Sequence, residues 1–176
     1  MLPPLPHRFD AAFLADLPYD PEVLLFDELL EADPANKVVI CRMPTDVPLP
    51  FTTSQRADPL RHPQHVAGAT LVHASGMLGF IHSYYLYGMR HADGWIGYGT
   101  HLYQVTFRKL VPPGSPIVAA CREVRGRRGP SKQFVKYAFE FRHEGDVCYE
   151  GEQSAVWMKV GEGEVPGMDG EVGEGN

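Results

Sequence analysis

At 176 residues the chain has the length of one ordinary domain. Its 44% hydrophobic and 11% aromatic content is enough for a packed core, which excludes wholesale disorder and a disulfide-stapled miniprotein. The formal charge is −6, but residues 161–176 hold five acids and no base, so the rest sets 16 bases against 17 acids, a net −1. A body so close to neutral lacks the basic face that nucleic-acid binding requires.

Cys41, Cys121 and Cys148 are odd in number and form no C-x-x-C pair, which predicts free thiols in a reducing compartment. The opening Met1-Leu-Pro-Pro-Leu-Pro lacks the basic region and apolar run of a secretory signal, so the expected location is cytoplasmic. Leu71 to Met89 is free of Asp, Glu, Lys and Arg, yet it includes His73, Ser75, His82, Ser83 and three glycines. That composition predicts a buried helix rather than a membrane span.

In chain order, the proline-rich residues 1–21 predict an irregular lead-in with one short helix around Asp10 to Leu17. The apolar runs Val23–Leu30 and Lys37–Met43 flank the turn former Asp33-Pro34-Ala35-Asn36 and predict a strand-rich opening. Residues 44–68 predict a long loop, a feature that is often functional inside a compact domain. The next segment, Ala69 to Met89, is apolar or small around its whole circumference, as a helix enclosed by other structure should be. After Trp95 the period changes to two: Tyr103, Val105 and Phe107 alternate with polar neighbours, and so do Val135, Tyr137, Phe139 and Phe141. Ile117–Val124 and Val147–Val160 are further strand candidates, with turns expected at Gly126–Pro130 and Glu144–Asp146. One long helix followed by an antiparallel meander is an α+β arrangement. Residues 161–176, rich in Gly and Glu, have the composition of a disordered tail.

Several strings carry a resemblance. Glu22-Val-Leu-Leu-Phe-Asp-Glu-Leu-Leu-Glu-Ala-Asp-Pro resembles the opening strand of 3-hydroxyacyl-ACP dehydratases. Gln104-Val-Thr-Phe-Arg-Lys-Leu-Val-Pro-Pro-Gly-Ser-Pro-Ile resembles the strand, Pro-Gly turn and strand of hotdog thioesterases and dehydratases. His62-Pro-Gln-His-Val-Ala-Gly68, followed by Ala69-Thr-Leu-Val-His73, resembles the dehydratase segment that joins the active-site loop to the helix. The His65-Val-Ala-Gly part is also similar to the A-factor-biosynthesis hotdog proteins. Here Ala67 stands where Pro is usual, and His73 falls where the family has Glu.

The resemblance implies a single hotdog domain over residues 22–160, in which a curved antiparallel sheet wraps a long central helix. It also implies a homodimer whose sites draw on both subunits, and an acyl thioester of acyl carrier protein or coenzyme A as substrate. The activity it implies is that of a 3-hydroxyacyl dehydratase or enoyl hydratase, a lyase of fatty-acid or polyketide metabolism. A thioesterase and a non-catalytic acyl-binding or assembly subunit remain the alternatives, and no cofactor beyond the carrier is implied.

Dehydration needs a base for the α-proton, an acid for the departing hydroxyl and donors for the thioester oxygen. Imidazole, with a pKa of about 6.5, suits either proton role. His62 or His65 is the candidate base, Gly68 and Ala69 at the helix start are the candidate oxyanion donors, and His73 stands in for the carboxylic acid. His73 would have to be imidazolium to donate, a form that burial disfavours. Asp58 is a second candidate, for orienting a histidine or activating water; its alternative role is turn chemistry before Pro59.

His82, nine residues beyond His73, lies half a turn round the helix and is assigned to packing. A zinc site on His62, His65 and His73 is set aside, because the chain has neither H-E-x-x-H nor paired cysteines. Arg122, Arg125, Arg127 and Arg128, with Lys132 and Lys136, crowd one expected hairpin. They could dock coenzyme A phosphates or an acidic carrier protein, or could simply guard a sheet edge. Phe80, Tyr84, Tyr85, Tyr87 and Trp95 are expected in the core, with an acyl tunnel as their alternative.

Overall fold

The structure is a computed structural model that describes residues 2–161. Seven strands and one long helix carry the fold. The strands are β1 (His7–Arg8), β2 (Glu28–Asp33), β3 (Val38–Met43), β4 (Trp95–Phe107), β5 (Ile117–Arg128), β6 (Lys132–His143) and β7 (Asp146–Lys159); the helices are α1 (Ala11–Asp16) and α2 (Gly68–Tyr87). They form a single antiparallel sheet in the order β1-β2-β3-β5-β6-β7-β4, so β4, first to follow the long helix, ends on the far edge. The acidic tail expected from the sequence lies, from residue 162 onward, outside the described residues. Among the described residues no helix is long and apolar enough to cross a membrane.

The helix expected over Ala69–Met89 is present over Gly68–Tyr87. Gly88 stops it in a left-handed conformation (φ 61°) and donates its N–H back to the Ser83 and Tyr84 carbonyls, a closure that favours glycine. On one side the sheet meets α2 through polar pairs: Ser75 Oγ with Tyr149 Oη at 3.1 Å, and Ser83 Oγ with Tyr137 Oη at 2.9 Å. On another, Phe13 of α1 is fully buried, its ring 4.9 Å from that of Tyr84 and 5.3 Å from that of Tyr85. Cover on more than one side explains why α2 shows no polar stripe.

The short helix expected around Asp10 to Leu17 is α1, whereas β1 is a strand in a stretch read as irregular. Asp10 caps α1 by accepting from the Phe13 N–H, and β1 adds to the sheet beside β2. The expected turn at Asp33–Asn36 is present, Asp33 Oδ1 accepting from the N–H groups of Ala35 and Asn36. The turn expected at Gly126–Pro130 sits later. β5 runs on to Arg128 in register with Gln133, and the reversal closes where Gly129 N–H meets the Lys132 carbonyl at 2.9 Å. Gly126 is thus a strand residue, which composition alone reads as a turn. The three cysteines are free and buried.

Candidate functional site

The loop before α2 is pinned at several points. Gln55 holds His65 from both directions: its Nε2 donates to the His65 carbonyl at 2.9 Å, and its Oε1 accepts the His65 N–H at 3.1 Å. Thr52 Oγ1 accepts the Ala67 N–H at 3.1 Å, the Val66 N–H reaches the Val111 carbonyl at 2.8 Å, and Thr70 Oγ1 donates to the Pro50 carbonyl at 2.6 Å. This bonding spends the Val66 and Ala67 donors. The N–H groups of Gly68 and Ala69, first in the helix, have no partner among the described residues. They are the unfilled donors of a helix N-terminus.

A cleft of about 360 Å³ opens there, between His65, Gly68 and Leu71 on one side and Phe107, Arg108 and Lys109 on the other. A Cβ at Gly68 would lie 2.9 Å from the ring edge of the exposed Phe107, which would have to shift to admit it. The His65 Nδ1 lies 2.8 Å from the Pro63 carbonyl; since a carbonyl only accepts, Nδ1 carries a proton, and in the neutral ring the lone pair is therefore at Nε2. The exposed His62 ring stands edge-on to His65, centroids 5.1 Å apart. Asp58 lies in solvent in a turn, its Oδ1 accepting from Leu60 N at 2.9 Å and Arg61 N at 2.8 Å. The Arg61 and then the Leu60 N–H hold its carboxyl below the ordinary aspartate value.

His73 lies elsewhere. It lines a larger cleft of about 550 Å³ between α2, β4 and β7, and His65 does not. Its Nε2 lies 2.8 Å from the Val23 carbonyl, so Nε2 holds a proton, and Nδ1 has no protein partner among the described residues. Within one chain, therefore, His65 and His73 open on separate clefts, and His62 lines neither. Three glycines make the larger space. A Cβ at Gly76 would meet nothing within 4 Å, one at Gly97 would lie 2.8 Å from the Trp157 ring, and one at Gly99 would lie 2.2 Å from Gln153 Nε2. Phe80 lines this cleft as the tunnel alternative anticipates, with Trp157 edge-on to it at 5.2 Å; Tyr84 and Tyr85 pack on α1 instead.

Two features of this cleft escape sequence reasoning. β4 has no side chain at Gly97 and Gly99, and Gln153 occupies an inward position of β7 in a row otherwise made of Tyr149, Gly151, Ala155 and Trp157. A polar residue in an apolar phase is the signal that could have singled out Gln153.

The arginines divide. Arg128 turns inward and pairs with the fully buried Glu123 carboxylate, which also accepts from Tyr87 Oη at 2.7 Å and Lys37 Nζ at 3.3 Å. Of the four arginines proposed to bind a carrier, Arg128 is the one already paired with a carboxylate. Arg122, Arg125 and Arg127 are exposed, paired in register with Ala138, Lys136 and Phe134. His82 is buried, as its packing assignment requires, with Nε2 at 3.0 Å from the Lys37 carbonyl. Burial pulls its pKa below that of an ordinary histidine. Among the described residues no group of three or more His, Cys, Asp or Glu is placed to hold a metal ion.

No family model matches the chain, and no curated protein matches it. Solved structures do. A mutant thioesterase from Pseudomonas aeruginosa is 14% identical, with a TM-score of 0.57 over 85% of this chain and 93% of its own. The dehydratase heterocomplex ApeI:P from Xenorhabdus doucetiae is 13% identical, with a TM-score of 0.54 over 85% of this chain and 91% of its own. Zebrafish thioesterase superfamily member 2 is 18% identical, with a TM-score of 0.53 over 81% of this chain and 90% of its own. An antiparallel seven-stranded sheet joined to one long helix, in an arrangement shared with thioesterases and a dehydratase, gives this chain the hotdog fold.

Proposed function

We propose that this protein is an enzyme of acyl thioesters, carried on coenzyme A or an acyl carrier protein, and that it adds water to or removes it from the acyl chain. The observation that carries this reading is the pair of unfilled N–H donors at Gly68 and Ala69, where α2 begins and where Gly68 and His65 line one open cleft. Two fixed donors aimed at one oxygen stabilise the negative charge that develops on a thioester carbonyl when its α-proton is drawn off. The lone pair on His65 Nε2 suits the base. His62, whose ring stands against His65, is the second proton carrier.

A homodimer completes the site. β4 pairs with β7 along one edge only, and its other edge is unpaired among the described residues. Thirteen residues of open strand favour pairing with a second copy, with the sheet curving round the paired helices and the helix cleft of one subunit meeting the loop imidazoles of the other. Arg122, Arg125 and Arg127 supply the charge to dock the carrier.

Thioester hydrolysis is the second reading, favoured because thioesterases and a dehydratase are alike in fold to this chain. Incubation with 3-hydroxyacyl-, 2-enoyl- and saturated acyl-CoA separates the two. Reversible change in enone absorbance supports hydration, and thiol release supports hydrolysis. Silence in both with measurable binding makes the protein an acyl-binding subunit. Turnover that is unchanged in each of His62→Ala, His65→Ala and His73→Ala removes the imidazoles from the chemistry.

A further inference from the structure

The larger cleft holds one group that neither dehydration nor hydrolysis uses. Gln153 lies on the inner face of β7, half-buried at a cleft that it lines with Trp157, Ala155, Phe139 and Phe80, and its side-chain amide, open to that cleft, makes no hydrogen bond to protein among the described residues. A primary amide brings two donors and an acceptor, and an acyl chain that fills the cleft and expels its water leaves them unpaired unless the chain supplies a polar atom, a cost that an aliphatic residue of similar size would not meet. The strand opposite is shaped to admit it: any side chain at position 99 would meet the Gln153 amide nitrogen at 2.2 Å. The amide thus has room beside a cleft of about 550 Å³ and, among the described residues, no protein partner in it.

We propose that this cleft selects acyl groups bearing a hydroxyl or carbonyl oxygen along the chain, and that the Gln153 amide binds that oxygen. This rests on reading the protein as acyl-thioester processing and names its substrate class. The aromatic and aliphatic walls take the hydrocarbon, while Gln153 supplies a donor for a keto oxygen and a donor and an acceptor for a hydroxyl. An unsubstituted chain leaves the amide unpaired, the situation in which a site built to hydrogen-bond a polar group rejects the analogue lacking it.

The test uses non-hydrolysable decyl-CoA thioethers, unsubstituted or with one keto group at carbon 4, 6 or 8, titrated calorimetrically into the full-length protein. One keto position should bind about tenfold or more tighter than the unsubstituted chain, as expected of a buried hydrogen bond gained. In Gln153→Leu that preference should fall to within about twofold, with the unsubstituted chain binding as well as before or better. Gly99→Ala keeps the amide but pushes it aside, and should lose the same preference even if Gln153→Leu fails to fold. The proposal is overturned if every thioether binds the wild type equally, or if the keto preference survives both substitutions. Failure of every thioether to bind overturns the acyl-thioester reading itself, and this proposal with it.

Discussion

Glu123 and Arg128 lie five residues apart on β5 and face the same side of the sheet. In a regular strand a spacing of five puts side chains on opposite faces. The register of β5 against β6 shifts between Glu123 and Arg125, and this bulge reverses the phase so that both side chains turn inward. The guanidinium then grips the carboxylate and lies over the Tyr87 ring, 4.1 Å from its centroid. Burial alone would raise the Glu123 pKa, but Arg128, Tyr87 and Lys37 outweigh it and bring the value to about 2.

The first prediction concerns acid. The folded value of about 2 lies below the ordinary 4.5, so the stabilisation is whole above pH 4.5 and drains away as pH falls towards 2. The pair should contribute on the order of 2–3 kcal/mol at neutral pH. Glu123→Gln should lower stability by about that amount at pH 7, with the difference from wild type shrinking below pH 4. Urea melts across this range measure it; a gap that stays constant with pH would contradict the assignment.

Gly126→Ala tests the same cluster from the backbone side. The added Cβ would lie 2.4 Å from Glu123 Oε1 and 2.8 Å from Arg128 Nη1, so the pair must part. A loss of about 1–3 kcal/mol is expected, together with weaker acid sensitivity than wild type. Full stability in this variant would show that the strand end can shift freely.

At Gly76 two effects diverge. No atom lies within 4 Å of its Cβ position, so Gly76→Ala removes a helix-weakening residue without a clash and should stabilise by roughly 0.5–1 kcal/mol. Gly76→Leu should fold as well but fill the cleft, weakening the binding of long acyl groups. Thermal melting paired with thioether titration reads both effects; unchanged affinity in the leucine variant would place the acyl chain elsewhere.

Tyr137→Phe removes the hydroxyl that accepts the Trp157 Nε1–H at 3.2 Å and bonds Ser83 Oγ at 2.9 Å. Tyr137 is 2% exposed, so the two groups lose their partner where water does not replace it. The cost should be about 1–3 kcal/mol by denaturant unfolding. The double variant Tyr137→Phe/Ser83→Ala should recover part of it, and an equal or larger loss there would mean that the hydroxyls do not act as a pair.

Much of the scaffold was legible in residue order. The alternation of Val135, Tyr137, Phe139 and Phe141 matches the buried face of β6, and the charge-free run from Leu71 matches α2. These patterns read well because the side-chain phase of a strand or helix follows from a backbone geometry that every residue shares. The start of α2 near Gly68 was legible for the same reason, and the free state of the three cysteines followed from their odd number and spacing.

What the amino-acid order determined by itself is the long helix, the main strands and the buried face of β6. Tertiary structure alone decided that His65 and His73 open on different clefts, that Arg128 is spent on Glu123, and that Gln153 stands unpaired opposite Gly99. Each of these depends on where a strand slips register or on which distant segment comes alongside. Such choices are set by the packing of the whole core, and no window of neighbouring residues contains them.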